Sequence, residues 1–299
     1  MPPEAGSEIK KKESKAVRIL KLLLKIGITI LCFWYISRKI DFAKAFNAFL
    51  QANWIFLVVA LLFFILSKVL SAFRLNIYFR NIKLQLSEWT NIKLYWLGMF
   101  YNLFLPGAIS GDAYKVILLN RRYNSSYKKT SAAVLLDRFS GVLALGVILC
   151  AYGVAVLHNY KYDVLLIFAA VLAFAGFYFV IRFLFKDFLQ SFFPTFVWAL
   201  GVQLSQVICV YFIMLSLHIP LMQQQWIFIF LLAAVISILP LSLGGGLGTR
   251  EFVFVEGARF FNLDPQTGVI ISLLFYLVTV IGSLWGLYYN FHDPLRENV

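Results

Sequence analysis

The sequence predicts an all-α polytopic membrane protein, with about six spanning helices and two oppositely oriented re-entrant helical hairpins. Of its 299 residues, 61% are hydrophobic and only 14% are charged, and a soluble domain of this size needs more polar surface. The apolar residues form long runs, unlike the short alternating segments of an outer-membrane barrel. The 31 Phe and 15 Tyr suit helices that face lipid and end at the membrane interface.

Length separates the spanning helices from shorter pieces, because a helix needs about 20 apolar residues to cross the hydrocarbon core. The first long run has no small-residue cleavage site after it, so it predicts an uncleaved anchor and not a signal peptide. Six runs are long enough to span: residues 19–36, 54–73, 131–157, 164–185, 196–217 and 268–291.

Two further apolar pieces, residues 94–105 and 227–239, are shorter and end at Pro106 and Pro240. Lys and Arg in short loops favour the cytoplasm, which places the N-terminus and the C-terminus there. The stretch with Arg74, Arg80, Lys83 and Lys93 and the later stretch with Arg121, Arg122, Lys128 and Lys129 are then both cytoplasmic. The segment between them therefore enters and leaves on the same side, and the second broken piece begins on the opposite side.

The tips of these hairpins break the helix at membrane depth, which is tolerated only inside protein or beside a water-filled cavity. Proline ends each helix because it lacks an N–H, and the helix that resumes directs N–H groups toward the tip. An anion is the ligand that such a helix start favours. We assign gating to the tip residues Pro106, Gly107, Gly111, Pro240, Gly244, Gly245, Gly246 and Gly248.

Charged residues follow each tip. Lys115 and Arg250 supply donors that suit a phosphate. Asp112 and Glu251 can accept bonds from a cationic or hydroxyl-bearing headgroup, orient the basic residues, cap the resuming helix, or carry protons. The alternative is that these residues only cap and join helices.

A third cluster, Asp137 and Arg138, lies about one turn into a span. Adjacent residues diverge by about 100° on a helix, so both cannot face one point, and pairing with the first hairpin competes with substrate contact. Asn102 lies one turn before Pro106, where its amide can satisfy carbonyls freed by the break. The complete predicted substrate-binding set is Asn102, Asp112, Lys115, Asp137, Arg138, Arg250 and Glu251.

Several functional classes are disfavoured. The net charge of +13 comes from short clusters between apolar runs, which indicates topology signals and contacts with anionic headgroups, not nucleic acid. Three scattered histidines give no basis for a metal site or a catalytic histidine. The glycine-rich tips lack the order of an ATP-binding loop, so we expect no cofactor and no ATP motor.

These motifs resemble the lysylphosphatidylglycerol synthase transmembrane-region family, also called flippase-like membrane proteins. Three pieces carry the resemblance: NLFLPGAISGDAYKVILLNRR, SAAVLLDRFSGVLALGVIL and LPLSLGGGLGTREFVFVEG. Ala108 and Ser110 stand where the family often has glycine. Lys115 stands where the family usually has Arg, which removes a bidentate fork for phosphate.

The resemblance implies lipid translocation. In bifunctional members this region moves aminoacylated phosphatidylglycerol between leaflets, and an attached soluble domain makes that lipid. We expect three parts here: a basic cytoplasmic tail (1–18), a flippase-like membrane domain (19–291) and a short cytoplasmic tail (292–299). Because the chain ends at Val299, we expect a stand-alone member with no synthase domain and no enzymatic activity, whose lipid is made by a separately encoded enzyme.

The leading hypothesis is a flippase of the plasma (inner) membrane. It would pass an anionic or zwitterionic headgroup, of an aminoacyl-phospholipid or a lipid-linked molecule, through a polar cavity at the midplane. Two alternatives stay open at this point. One is an integral-membrane glycosyl- or phospho-transferase that acts on a polyprenyl-phosphate-linked sugar, and the other is a membrane regulator that binds lipid without transporting it.

Overall fold

A computed structural model of the protein describes residues 46–47, 50–104, 110–238 and 248–295. Within these ranges the chain is all-α, with no strand, which confirms the predicted fold class. A 3-10 helix, Lys186–Ser191, precedes α6. The α-helices are α1 (Trp54–Asn81), α2 (Glu88–Phe104), α3 (Ser110–Tyr123), α4 (Tyr127–Leu157), α5 (Tyr160–Leu184), α6 (Phe192–Ser216), α7 (Gln225–Ile238), α8 (Thr249–Phe260) and α9 (Pro265–Phe291).

Five of the described helical segments are long and apolar enough to cross a membrane: α1, α4, α5, α6 with its preceding 3-10 helix, and α9. They cover five of the six predicted spans, and the chain is a multi-pass membrane protein. The first predicted span, residues 19–36, and the N-terminal tail lie outside the described residues, as do residues 296–299 of the C-terminal tail.

Side chains at the helix starts explain where several spans begin. The Asn53 side chain accepts a bond from the Ile55 N–H at the start of α1, and Asn159 accepts one from Lys161 at the start of α5. Asp264 accepts bonds from the N–H groups of Gln266 and Thr267 at the start of α9. Asn and Asp are preferred at this position because they satisfy N–H groups that have no partner within the helix.

The two predicted hairpins correspond to pairs of short helices, α2 with α3 and α7 with α8. These helices have 17, 14, 14 and 12 residues, fewer than the roughly 20 that a span requires. In the first pair a side-chain carbon at Gly111 would collide with the backbone of Gly98, so only glycine allows this close approach. The predicted tip residues Pro106, Gly107, Pro240, Gly244, Gly245 and Gly246 lie outside the described residues.

The long helices α1 and α6 pack antiparallel along their whole length. The Asn53 N–H at the start of α1 bonds the Ser216 carbonyl at the end of α6, at 2.9 Å. Near the other end, the Tyr78 hydroxyl donates to Thr195 Oγ1, also at 2.9 Å. This agrees with the opposite directions that the distribution of Lys and Arg predicts for these two spans.

The apolar core forms two clusters of buried side chains. One includes Leu145 and much of α6 to α9, and the other includes Leu75 and Val134 with residues of α1 to α4. All three named residues also border one polar cavity, so the cavity lies where the two clusters meet. In contrast, α5 lies at the periphery, and Ile181 is its one fully buried residue.

Candidate functional site

The start of α3 is held to the end of α2 by side chains of both helices. Asn102 Oδ1 accepts the Gly111 N–H at 2.9 Å, and Ser110 Oγ donates to the Tyr101 carbonyl at 3.1 Å. We expected Asn102 to satisfy carbonyls, whereas its described partner is an N–H of the resuming helix. This bond caps α3 from the preceding helix and fixes the two limbs of the hairpin near its tip.

Asp112, the third residue of α3, is the centre of an ion-pair network. Lys115 Nζ lies 3.3 Å from one carboxylate oxygen, and Arg138 Nε of α4 donates to the other oxygen. Asp112 and Lys115 are buried, while 39% of the Arg138 side chain remains exposed. Lys115 also lies 4.2 Å from the centre of the Tyr95 ring, a distance at which a cation is attracted to the ring face.

Asp137 and Arg138 have different partners, as their 100° separation on α4 predicts. Arg138 reaches the first hairpin at Asp112, and Asp137 Oδ1 accepts from Nε of Arg74, on α1, at 2.7 Å. The Arg74–Asp137 pair is buried at both ends. These two contacts connect α4 to α1 and to α3 through opposite charges.

A cavity of about 360 Å³ lies beside these ion pairs. Six of the described helices line it: α1, α2, α3, α4, α6 and α7. The second hairpin contributes through Ala234 and Ile238 of α7. The polar residues of the lining are Lys68, Ser71, Arg74, Tyr95, Asn102, Asp112, Lys115, Asp137, Arg138, Gln203 and Gln206.

The charges of this lining do not balance. The described lining carries four cationic side chains and two carboxylates, an excess of two positive charges. Both carboxylates belong to the ion pairs above, whereas Lys68 contacts no carboxylate among the described residues. Lys68 Nζ lies 4.5 Å from the centre of the Phe64 ring instead. The cavity is therefore suited to an anionic ligand.

Arg74 is a buried cation of the cavity that has an unused hydrogen-bond donor. It is 4% exposed, and its Nη1 atom has no hydrogen-bond partner in the described part of the chain. Gly141 of α4 lies beside it, such that an added Cβ would be 3.2 Å from Nη1 and 3.4 Å from Nη2. The absence of a side chain at Gly141 leaves room next to the guanidinium. An unpaired buried N–H donor costs about 1–3 kcal/mol, which an acceptor on a ligand would recover.

The charged residues of the second hairpin form a separate cluster. Arg250 and Glu251, at the start of α8, are 5% and 1% exposed and lie 3.6 Å apart. Ser272 of α9 accepts from Arg250 Nε at 2.9 Å and donates to Glu251 at 2.7 Å. Glu251 also accepts the N–H of Gly248, whose φ of 85° favours glycine.

Among the described residues, the partners of this second cluster lie in α8, in α9 and at Gly248, just before α8. Arg250 lies 5.4 Å and 5.6 Å from the ring centres of Phe275 and Tyr276, so aromatic faces cover the guanidinium. Neither Arg250 nor Glu251 lines the described cavity. The arrangement holds the start of α8 to α9.

The structure thus brings five of the seven predicted substrate-binding residues to one cavity: Asn102, Asp112, Lys115, Asp137 and Arg138. It places the other two in the second cluster. Of the predicted tip residues, Gly111 lies at the crossing of α2 with α3, and Gly248 precedes α8. Whether any of them binds a substrate or gates stays a prediction.

Sequence reasoning missed several lining residues, chiefly Lys68, Arg74, Tyr95, Gln203 and Gln206. In the sequence, Arg74 serves only as a marker of a cytoplasmic stretch, whereas α1 continues to Asn81 and buries Arg74 within it; the side of the membrane on which this stretch lies stays a prediction. A signal was present: Lys68 interrupts the predicted span 54–73, and a charge inside a span usually faces a protein interior or a cavity.

Together these features define a multi-pass helical membrane protein with a positively charged internal cavity. Residues 22–286 match the family model described as the Lysylphosphatidylglycerol synthase TM region, and the chain belongs to this family. The match includes all helices that line the cavity and both helix pairs. It confirms the resemblance that the three sequence motifs indicated.

One similar curated protein is the UPF0104 membrane protein PH1989 of Pyrococcus horikoshii. It is 29% identical over 126 residues, which cover 41% of this chain and 36% of that protein. The aligned part thus spans about a third of the relative's length. No solved structure matches the chain significantly.

Proposed function

We propose that this protein moves a lipid between the two leaflets of a membrane by passing its anionic headgroup through the cavity between the two core clusters. The observation that carries this proposal is the excess of two positive charges in a cavity lined by helices of the membrane domain. Charge inside a membrane protein is costly and usually serves a substrate or ion pathway. An anionic or zwitterionic headgroup supplies the negative charge that the lining lacks.

The size of the cavity supports a headgroup and not a complete lipid. At about 360 Å³ it lies near the lower end of small-molecule sites, which is too small for two acyl chains together with a headgroup. The chains would then stay among the lipids of the bilayer while the headgroup crosses. This division suits the protein, since four charged residues of the cavity, Arg74, Asp112, Lys115 and Asp137, are buried, and the spanning helices expose large apolar side chains.

Transport requires the cavity to open first to one side of the membrane and then to the other, and the Asp112–Arg138 pair is a contact that can break during this change. It joins the first hairpin to α4, and the Arg138 end of the pair is partly exposed. Because the guanidinium of Arg138 is partly exposed, a headgroup phosphate can reach it and compete with Asp112 for its N–H donors. Separation of this pair would free the first hairpin to move relative to α4.

Family membership supports a lipid-related role. The proposal is that this protein is a flippase of the plasma (inner) membrane, with its N-terminus in the cytoplasm, which acts on a lipid made by another enzyme. Its direction would be set by a gradient or by consumption of the lipid.

Reconstitution tests the proposal. Purified protein is placed in liposomes that contain a fluorescent anionic phospholipid, and a reductant added outside bleaches the outer leaflet. We expect the inner-leaflet label to become accessible faster than in empty liposomes, with the lipid chemically unchanged. A new covalent product would instead indicate a transferase. Binding without exchange would indicate a regulator, and equal rates with and without protein would contradict the proposal.

A further inference from the structure

We infer that the ligand of the cavity carries two negative charges on one compact phosphate group, as a phosphomonoester or a diphosphate does, and that Arg74 and Lys68 of α1 bind this group. The inference rests on the proposed function only in using the same cavity, and it names the substrate class that the cavity selects. It concerns two residues that the sequence motifs do not include.

The charge of the cavity lining indicates the charge of its ligand. An uncompensated charge in a poorly solvated site costs several kcal/mol, so a bound complex is most stable when its total charge is near zero. The described lining has an excess of two positive charges. A phosphodiester brings one negative charge, whereas a phosphomonoester brings about 1.5 to 2 at pH 7. A diphosphate brings at least as much, so these two groups neutralise the cavity and a diester does not.

Two cationic side chains of α1 have donors that no described carboxylate uses. Lys115 and Arg138 share Asp112, and Arg74 uses Nε for Asp137. The remaining donors on α1 are Nη1 of Arg74, which has no described partner, and the ammonium group of Lys68, which contacts no described carboxylate. The two residues line the same cavity from one helix, six positions apart. One unit of the positive excess therefore lies on Lys68 of α1 and the other on the cluster in which Lys115 and Arg138 share Asp112, while the unused donors of Arg74 and Lys68 both lie on α1.

The Nη1 and Nη2 edge of Arg74 lies beside Gly141 at the cavity. Guanidinium groups bind phosphate through two parallel N–H donors, which requires an open edge. Gly141 packs close to this edge without a side chain to cover it, since an added Cβ would lie 3.2 Å from Nη1 and 3.4 Å from Nη2, and both residues line the cavity. The Gln203 amide donates to the Gly141 carbonyl at 3.1 Å, which fixes this part of α4 against α6. A phosphate oxygen next to Nη1 would satisfy the buried donor.

Binding selectivity tests the inference. The full-length protein in detergent is titrated with three lipids that have identical acyl chains: phosphatidic acid (a monoester), phosphatidylglycerol (a diester) and diacylglycerol. Native mass spectrometry measures the bound fraction of each. We expect phosphatidic acid to bind about ten-fold more tightly than phosphatidylglycerol, which corresponds to about 1.4 kcal/mol, and we expect no cavity binding of diacylglycerol. Equal affinity for the two phospholipids would overturn the inference.

Lys68→Gln is the variant that separates charge from folding, because it leaves no described carboxylate without a partner. It lowers the positive excess from two to one, so we expect the preference for phosphatidic acid over phosphatidylglycerol to fall to about two-fold or less. The melting temperature should stay near that of the wild type. A Lys68→Gln protein that keeps the ten-fold preference would contradict the assignment.

Two glycines of α4 provide a matched pair that keeps every charge. Gly141→Ala places a methyl group beside the Arg74 guanidinium. We expect it to weaken the binding of phosphatidic acid about five- to ten-fold, because the phosphate loses access to Nη1 and Nη2. Gly146→Ala, five residues further along the same helix, meets no atom within 4 Å and should bind as the wild type does. Equal binding by the two variants would exclude a phosphate beside Arg74.

Inorganic pyrophosphate distinguishes the two sources of such a group. If it competes with phosphatidic acid at a similar concentration, the site takes a soluble phosphate and the lipid assignment is overturned. If it competes only at concentrations about 100-fold higher, the acyl chains contribute to affinity and the lipid assignment holds. Leaflet exchange is measured separately, so exchange without phosphate selectivity would refute this inference alone, and selectivity without exchange would refute only the transport proposal.

Discussion

The two short-helix pairs use the same residue types in different ways. In the first pair, Asp112 and Lys115 border the cavity and connect through Arg138 to a different part of the fold. In the second pair, Arg250 and Glu251 are sealed between α8 and α9 and bond to Ser272. Both pairs place an acidic residue third in the helix after the break. A similar sequence pattern thus produces one cluster that borders a cavity and one that is buried between two helices.

This difference shows that a charged pair after a broken helix does not by itself identify a binding residue. The two clusters differ in how completely their charged groups are paired within the protein. Glu251 accepts from Gly248 and Ser272 and lies near Arg250, so its bonding capacity is used within the protein. The first cluster faces a cavity whose lining has more cations than carboxylates. We therefore expect substitutions in the first cluster to change lipid binding, and substitutions in the second cluster to change the stability of the fold.

The largest expected effect is on stability, from Glu251→Gln. Removing one partner of a buried pair leaves Arg250 charged and unpaired, which costs about 3–5 kcal/mol. We expect a large fall in the melting temperature, which is measured in detergent by tryptophan fluorescence. Replacing both partners by apolar residues, in Arg250→Met with Glu251→Leu, should recover much of the loss. A Glu251→Gln protein that is as stable as the wild type but no longer binds lipid would reverse the roles assigned to the clusters.

The next effect concerns the helix crossing of each pair. At Gly111 a side chain would meet the rigid backbone of Gly98, whereas at Gly257 it would meet the side chain of Ile229. We expect Gly111→Ala to cost about 1–3 kcal/mol through overpacking. Gly257→Ala should cost less, because Ile229 can shift and alanine favours the helix by up to about 1 kcal/mol. Thermal unfolding compares them, and equal losses would contradict the close backbone contact in the first pair.

Asp112→Asn tests the first cluster directly. It raises the positive excess of the lining from two to three and removes the carboxylate that Lys115 and Arg138 share. We expect phosphatidic acid to bind about ten-fold more tightly and leaflet exchange to slow by a similar factor, because release becomes limiting. Titration and liposome exchange of the same preparation measure the two quantities. A fall in both affinity and exchange would show that Asp112 contacts the lipid instead of limiting its binding.

The smallest effect should come from an exposed ion pair. Lys129 and Asp187 lie 3.2 Å apart, and each side chain is 57% exposed. Asp187→Asn should change the free energy of unfolding by less than about 1 kcal/mol, because solvent screens this pair. Lipid affinity should also be unchanged. A larger loss of stability, measured by the same thermal assay, would mean that burial is not what separates strong from weak pairs in this protein.

The helical architecture was largely predictable from the sequence, because length and hydropathy identify spans without tertiary information. The breaks at Pro106 and Pro240 likewise indicated the two short-helix pairs. Local spacing also indicated that Asp137 and Arg138 would face different partners, which are Arg74 and Asp112.

The composition of the cavity was not predictable in the same way. Arg74 pairs with Asp137 across 63 positions, and Gln203 reaches the cavity from a helix with no charged motif. Such contacts depend on which helices pack together, and no local pattern specifies that packing. The separation of Arg250 from the cavity has the same origin, since it depends on the pairing of α8 with α9 at Ser272.

Cysteine accessibility tests the central claim most directly, namely that one cluster borders an open anion-binding cavity and the other is sealed. In a protein whose three native cysteines are replaced by serine, Gln206→Cys reports on the cavity and Ser272→Cys on the second cluster. An anionic methanethiosulfonate reagent should label the first at least about ten-fold faster, because the positive lining attracts it, and phosphatidic acid should slow that labelling. Equal labelling of the two sites, with no protection by the lipid, would contradict the account.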